Sequence, residues 1–203
     1  MLPSLMSIMA RGALLFGLTA IEIATPGRAG LIFTIDQRFG SINFSVDHLG
    51  LFSSQGKFDR FKGVLDIDPD HPERTTFRIT IDAASLDMPW DEATAMLRTP
   101  EFFDVAAHPA ITYTSSAVVP GAAQHYAISG KLQIRGVERP QALDALLLSR
   151  RVDPVRHVET ADFTVTGRLK RSDFGMVARQ VFISDTVTLT IHVRIELPYK
   201  ADG

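Results

Sequence analysis

Residues 187–197 constrain the fold of this chain more than any other part of its sequence. Six aliphatic residues alternate there without a break with five polar or charged residues. Successive side chains of a β-strand point to opposite faces, so this stretch predicts a strand with one apolar and one polar face. At about 3.3 Å per residue the strand would be roughly 36 Å long, about twice the usual length. So long an apolar face must be covered by other apolar groups, and identifying them bears directly on the function.

The same alternation recurs elsewhere in the chain. The clear cases are residues 42–47, 77–82, 128–134 and 162–170, and the weaker cases are residues 31–36, 56–67, 111–116 and 141–148. Turns rich in proline, glycine and aspartate separate them. Eight or nine strands that are close neighbours in sequence predict an antiparallel meander.

One stretch departs from the alternation. Residues 90–98 combine helix-forming side chains with early acids and a late arginine, and Pro89 and Pro100 flank them. This order of charges is typical of a helix, so we expect one short helix inserted among the strands of a single all-β domain. Such a sheet is stable either as a two-layer sandwich or as a closed barrel, and the periodicity alone leaves both open.

The first thirty residues have a different composition. Arg11 precedes an apolar run over residues 13–20, and small residues follow as far as Ala29. A short apolar run between a positive charge and small residues is typical of a secretory signal peptide, and it is too short to span a bilayer comfortably. We therefore predict a signal peptide over residues 1–29 and a mature domain over residues 30–203.

Several classes of function are disfavoured by what the sequence lacks. Without cysteine it has neither disulfides nor thiolate chemistry. A net charge of −2 and the absence of a basic stripe argue against a nucleic-acid partner. The six histidines have no metal-ligand spacing, and no serine-nucleophile or phosphate-loop motif occurs. One tryptophan and three tyrosines are too few for the aromatic girdles of an outer-membrane barrel. We expect neither a metal nor catalytic residues.

Six groups of motifs follow one another in the mature chain. The first group comprises Asp36, Ser41, Ile42, Phe44, His48-Leu49-Gly50, Gly56-Lys57-Phe58 and Phe61-Lys62-Gly63. The others, in chain order, are residues 80–87 (TIDAASLD), residues 97–105 (LRTPEFFDV), residues 108–113 (HPAITY), residues 130–140 (GKLQIRGVERP) and residues 171–176 (RSDFGM). Together they resemble the YceI-like family. The resemblance implies a single lipocalin-like antiparallel barrel of about eight strands in the bacterial periplasm. It also implies a non-enzymatic role, in which the lumen binds a polyisoprenoid lipid or an isoprenoid quinone.

A barrel of this kind turns the apolar faces of its strands toward the lumen. The predicted ligand-binding residues are Phe44, Val46, His48, Phe77, Ile79, Ile81, Ile128, Leu132, Phe163, Val165, Leu189, Ile191 and Val193. His48 continues the inward phase of residues 42–46, where it would hydrogen-bond a neighbour or a quinone oxygen. Apolar residues outside the strands would form a lid over one mouth of the barrel. These are Met88, Met96, Leu97, Phe102, Phe103, Phe174 and Met176.

The function that we expect is transport or storage of an isoprenoid lipid, with no cofactor apart from this bound lipid. One alternative is a barrel enzyme of the isomerase or cyclase type that acts on an apolar substrate. Another is a structural or stress-response protein whose core is filled by its own side chains. The sequence is also compatible with a homodimer and with transient contact with a membrane or a membrane redox protein.

Overall fold

The structure of the protein, a computed structural model, describes residues 31–35, 37–67 and 71–198. The predicted signal peptide over residues 1–29 lies outside the described residues.

Eleven strands form one antiparallel sheet. They are β1 (Leu31–Thr34), β2 (Gly40–His48), β3 (Phe52–Phe58), β4 (Phe61–Ile67), β5 (Thr76–Asp82), β6 (Leu86–Asp87), β7 (Ala110–Pro120), β8 (His125–Ile134), β9 (Val137–Asp153), β10 (Val158–Lys170) and β11 (Thr186–Pro198). The helix α1 is Asp91–Leu97, and short 3₁₀ turns cover Gln37–Phe39, Pro72–Arg74, Ala83–Ser85 and Arg171–Phe174. The order in the sheet is β1-β4-β5-β7-β8-β9-β10-β11-β2-β3-β6.

A long bent hairpin closes this sheet into a barrel. Its first arm is β1 followed by β2, and its second arm is β3 followed by β4. The arms pair along both halves, β2 with β3 and β1 with β4, and the Ile35 N–H donates to the Gly63 carbonyl at 3.0 Å near the bend. Because β2 also pairs with β11 while β4 pairs with β5, the hairpin joins the two ends of the meander.

The barrel confirms the predicted fold class, although the count of strands differs. Eight strands surround the axis if each arm of the bent hairpin is counted as one strand and the two-residue β6 is left out. Counted separately the strands number eleven, because the bends interrupt both arms. The predicted helix is present and is one residue shorter at each end, since Trp90 and Arg98 are its caps.

The strand predicted from residues 187–197 is confirmed as β11, which pairs along its whole length with β10. The longest strand is β9, with 17 residues, of which the sequence indicated only residues 141–148. A bulge explains the difference. Asp162 pairs with Ser149 but Phe163 pairs with Leu147, so Leu148 is an extra residue that breaks the two-residue period.

Gly130 lies in β8 at a place where the wall leaves no room for a side chain. A Cβ atom at this position would lie 2.5 Å from the Tyr113 ring and 2.6 Å from the Thr114 carbonyl oxygen. We expect Gly130→Ala to lower the free energy of unfolding by about 1–3 kcal/mol, because the backbone contact cannot yield easily. Denaturant unfolding measures this change. Ser129→Ala on the exposed outer face of the same strand is the control, and equal stability of both variants would contradict the prediction.

An apolar cavity along the barrel as the candidate functional site

A cavity of about 460 Å³ lies inside the barrel, within the range of about 300–1,000 Å³ that small-molecule sites occupy. The whole predicted apolar face of β11 lines it, from Val187 to Leu197. These side chains are only partly buried, although they point inward. They face an open space rather than one another, so the centre of the barrel is hollow.

The structure brings the predicted ligand-binding residues together. All thirteen line this cavity, and they come from β2, β5, β8, β10 and β11. Their period-two spacing on separate strands is what places them on one continuous surface. That they bind a ligand stays a prediction.

The predicted lid residues are mostly at the cavity too. Six of the seven line it, and Phe174 does not. Phe174 is 2% exposed and packs in the core at the end of a 3₁₀ turn, so the structure does not place it at a mouth. Met88 and Phe102 are also buried, and the Phe103 ring meets the Phe58 ring edge-on at 5.7 Å. The segment around α1 is therefore packed as part of the cavity wall.

Two polar groups in the wall are already satisfied by the backbone. The buried Tyr113 hydroxyl donates to the Gln141 carbonyl at 3.2 Å, and burial raises the pKa of Tyr113 to about 12. The Gln141 side chain donates to the Ala142 and Arg168 carbonyls at 2.7 and 3.1 Å. These groups therefore add polarity to the wall without offering a free donor. Sequence reasoning missed both, although Tyr113 continues the alternation of Ile111.

A charged pair lies at the end of the cavity near the β9–β10 hairpin. Glu159 is 8% exposed, and the Arg150 guanidinium pairs with its carboxylate, with Nη2 and Oε2 3.0 Å apart. Both residues line the cavity. Sequence reasoning missed Arg150 because the bulge opposite Asp162 shifts the phase of β9. It missed Glu159, which continues the inward phase of Ala161 and Phe163 on β10, because the search followed apolar positions.

His48 lines the other end of the cavity, together with Ser54. Its Nε2 atom lies 2.8 Å from the Ser54 hydroxyl, and its ring stacks on Phe52 with 4.6 Å between centroids. If the hydroxyl donates to Nε2, the histidine keeps an Nδ1–H donor; if Nε2–H donates, the hydroxyl proton is left over. Either way the pair retains one donor for an oxygen atom of a ligand.

Arg171 is the most heavily buried charged residue among the described residues, at 4% exposure, and it also lines the cavity. Its guanidinium donates to four backbone carbonyls, those of Met176, Ala178, Ile183 and Ser184, at 2.6–3.0 Å. Burial lowers the pKa of Arg171, and the nearby Asp185 charge opposes that shift. All four acceptors belong to the segment that leads into β11, so this side chain fixes the shape of that segment.

The described residues contain no group of three or more histidine, cysteine or acidic side chains that could hold a metal ion. Nor is any helix of the described chain both long enough and apolar enough to cross a membrane.

Fold and cavity together define a class of proteins, the closed antiparallel barrels with an apolar lumen. Within that class, the model of the YceI-like domain matches residues 33–195, so the chain belongs to the YceI-like family. A UPF0312 protein of Pectobacterium carotovorum is 31% identical over 183 residues, which cover 88% of this chain and 94% of the relative. Protein YceI of Salmonella arizonae is 30% identical over 187 residues, covering 91% and 97%.

Solved structures share the architecture. BcnA of Burkholderia cenocepacia superposes with a TM-score of 0.70 at 22% identity, covering 79% of this chain and 99% of that one. A polyisoprenoid binding domain from Saccharophagus degradans, implicated in plant cell wall breakdown, superposes with a TM-score of 0.59 at 18% identity. It covers 83% of this chain and 99% of that domain. At these identities the two structures establish the fold.

Replacing Arg171 tests whether it holds the segment before β11. Arg171→Met removes the donors to four carbonyls, and hydrogen bonds to a charged group contribute about 1.5–3 kcal/mol each. We expect unfolding to become at least ~3 kcal/mol easier and amide exchange of residues 175–185 to accelerate. Arg179→Met, at an exposed position in the same segment, is the control. Unchanged exchange in the Arg171 variant would show that the guanidinium does not hold this segment.

Proposed function

We propose that the protein is a periplasmic binding protein that carries or stores a polyisoprenoid lipid or an isoprenoid quinone in its barrel lumen, without transforming it. The observation that carries the proposal is the hollow apolar cavity of about 460 Å³ surrounded by inward aliphatic side chains. Membership of the YceI-like family and the fold shared with a polyisoprenoid binding domain support it. The composition of residues 1–29 supports export.

The energetics favour a prenyl tail as the occupant. Each isoprene unit has five carbons, and burying it releases roughly 4 kcal/mol at about 0.8 kcal/mol per carbon. Several units would outweigh an association cost of about 4–15 kcal/mol. A long tail in this cavity therefore needs no strong polar anchor, which agrees with the scarcity of polar side chains in the wall.

The polar groups that do reach the cavity favour an uncharged head group. Four of the five N–H donors of Arg171 bind backbone carbonyls, and Arg150 is paired with Glu159. Both arginines are thus largely engaged by the protein itself, whereas the pair of His48 and Ser54 keeps one hydrogen-bond donor. A quinone carbonyl or a prenol hydroxyl would accept that bond.

The hollow centre favours this function over a structural protein with a filled core. The enzyme alternative rests on His48, because a base in an apolar cavity could move a proton of a bound substrate. Loss of turnover in His48→Ala with lipid binding intact would favour the enzyme, as would a chemically altered lipid recovered from the protein.

Extraction of the native protein tests the ligand directly. We expect organic extracts of protein purified from the periplasm to contain a prenyl compound, and native mass spectrometry to show the matching mass on the intact chain. Only the bare polypeptide under gentle conditions would support the ligand-free alternative.

Filling the lumen should block binding without harming the fold. Ala145 lines the cavity on β9, and Ala142 lies three residues away on the exposed face of the same strand. We expect Ala145→Phe to weaken binding of a short-tailed prenyl quinone at least ~10-fold, because the ring occupies the path of the tail, while Ala142→Phe binds normally. Fluorescence titration measures the affinities, and similar melting temperatures exclude misfolding. Ala161→Phe is a second inward variant, and normal binding by both inward variants would contradict the proposed site.

Removing the polar pair should affect the head group alone. We expect His48→Ala combined with Ser54→Ala to weaken a prenyl quinone about 10-fold, or about 1.4 kcal/mol, because one hydrogen bond is lost. A prenyl hydrocarbon of the same length should bind as before. The control is His125→Ala, at an exposed histidine that contacts Asp144. If quinone and hydrocarbon weaken equally, the pair has a structural role, and the predicted head-group contact is wrong.

A further inference from the structure

Exposed apolar side chains concentrate at one end of the barrel. The described residues include thirteen large apolar side chains that are exposed, and six of these lie in two segments. The six residues, which we call the apolar rim, are Leu49, Leu51, Phe52, Val177, Val181 and Phe182. Leu51 is 81% exposed and Val181 is 77% exposed. Contiguous exposed apolar patches mark interaction surfaces, so we treat these six residues as one candidate surface.

The two segments of the apolar rim meet beside the cavity. The Ser184 N–H donates to the Asp47 carbonyl at 2.8 Å, which joins the segment before β11 to the end of β2. His48 and Ile183, the immediate neighbours of Leu49 and Phe182, both line the cavity. The apolar rim therefore adjoins the end of the cavity that contains the His48–Ser54 pair.

The backbone beneath the apolar rim is held in place by internal hydrogen bonds. Arg171 binds carbonyls of Met176, Ala178 and Ile183 from the inside, so these acceptors need no water. The N–H groups of Phe182 and Ile183 both donate to the Arg179 carbonyl, at 2.9 and 3.0 Å. Because its polar backbone is partly satisfied in this way, the segment can place apolar side chains in a medium that offers few hydrogen bonds.

The two segments of the apolar rim contain one charged side chain. Over residues 48–56 and 174–184 no acidic residue occurs and Arg179 is the single arginine or lysine; Lys57, Asp47, Asp173 and Asp185 flank these ranges. The Asp47 and Asp185 carboxylates accept hydrogen bonds from Ser53 and Ser172. Arg179 is exposed, as are the apolar residues near it. Apolar side chains together with a cation suit the boundary of a bilayer that contains anionic lipids.

We propose that the apolar rim docks on the surface of a lipid bilayer, so that an apolar ligand passes between membrane and cavity without crossing water. The docking follows from the rim itself, and only the identity of what passes rests on the proposed function. A prenyl tail is costly to expose to water, so a carrier that adjoins the bilayer at its cavity mouth avoids that cost.

Vesicle flotation tests the docking. The protein is recovered from the periplasm of a bacterial host as processed there, and is mixed with vesicles of phosphatidylcholine, with or without phosphatidylglycerol, that contain no isoprenoid. We expect the parent protein to float with the vesicles, more strongly when phosphatidylglycerol is present. Leu51→Ser combined with Phe182→Ser should lower the partition coefficient at least ~10-fold. Arg179→Gln should lower it on the anionic vesicles only.

The matched control lies at the opposite end of the barrel. Val119 and Val155 are 57% and 87% exposed near the turns that follow β7 and β9. Val119→Ser combined with Val155→Ser removes similar exposed apolar surface and should leave vesicle binding unchanged. The proposal is overturned if the parent protein does not float, if both double variants lose binding equally, or if the apolar-rim variant floats like the parent. It is also overturned if sedimentation shows that Leu51 and Phe182 instead hold two copies of the chain together.

A second readout separates this inference from the proposed function. Titration with a short-tailed prenyl quinone in water measures the cavity alone, and the apolar-rim variant should bind like the parent there. Transfer of a long-tailed quinone out of vesicles should be slowed at least ~10-fold in that variant. Vesicle binding without quinone binding would reject the proposed ligand and retain the docking surface. Quinone binding without vesicle binding would reject the docking surface and retain the proposed ligand.

Discussion

Closure of the hydrogen-bonded ladder by the bent hairpin is the constraint on which the other features depend. Because β2 pairs with β11 and β4 pairs with β5, the hairpin links both ends of the meander by backbone hydrogen bonds. Among the described strands, β1 pairs on one edge with β4, and the second edge of β3 pairs with β6 at Lys57 and Phe58. The inward side chains are then free to be apolar, and a barrel of eight strands is wide enough either to be filled by them or to hold one small ligand. In this structure the inward side chains leave a cavity, and aliphatic residues such as Leu189 and Ile191 provide its chemistry.

Polar groups in the wall bond in different ways, and Arg150 and Glu159 form an ion pair with each other. Tyr113, Gln141 and Arg171 bond to backbone carbonyls, so they stabilise the wall where the chain bends or leaves the ladder. The His48–Ser54 pair bonds internally and still has a donor to spare. An unsatisfied donor next to an apolar space is costly unless water or a ligand reaches it. This asymmetry distinguishes structural polar groups from those that could orient a ligand.

The alternation of apolar and polar residues predicted the strands and the side chains that face the lumen. The continuous alternation of β11 fixed its length and its inward face, and all thirteen predicted ligand-binding residues line the cavity for the same reason. The upper part of β9 could not be read in this way, because the bulge at Leu148 shifts the phase and hides Arg150. The role of Arg171 depends on carbonyls up to 13 residues away, which no local pattern reveals. Phe174 ends the 3₁₀ turn that begins at Arg171, and residue spacing does not predict where the side chains of such a turn point.

The position of Arg171 also connects the cavity to the outside of the molecule. One side chain lines the lumen and binds the inner carbonyls of the segment that presents Val181 and Phe182 to solvent. A buried cation is costly unless several acceptors surround it, and here the acceptors are main-chain groups that would otherwise need water. The Arg171 guanidinium therefore keeps the carbonyl groups of this segment turned inward, while Val181 and Phe182 point outward at the mouth of the cavity. An apolar surface next to the end of an apolar cavity follows from that single arrangement, and the proposed docking on a bilayer rests on this adjacency.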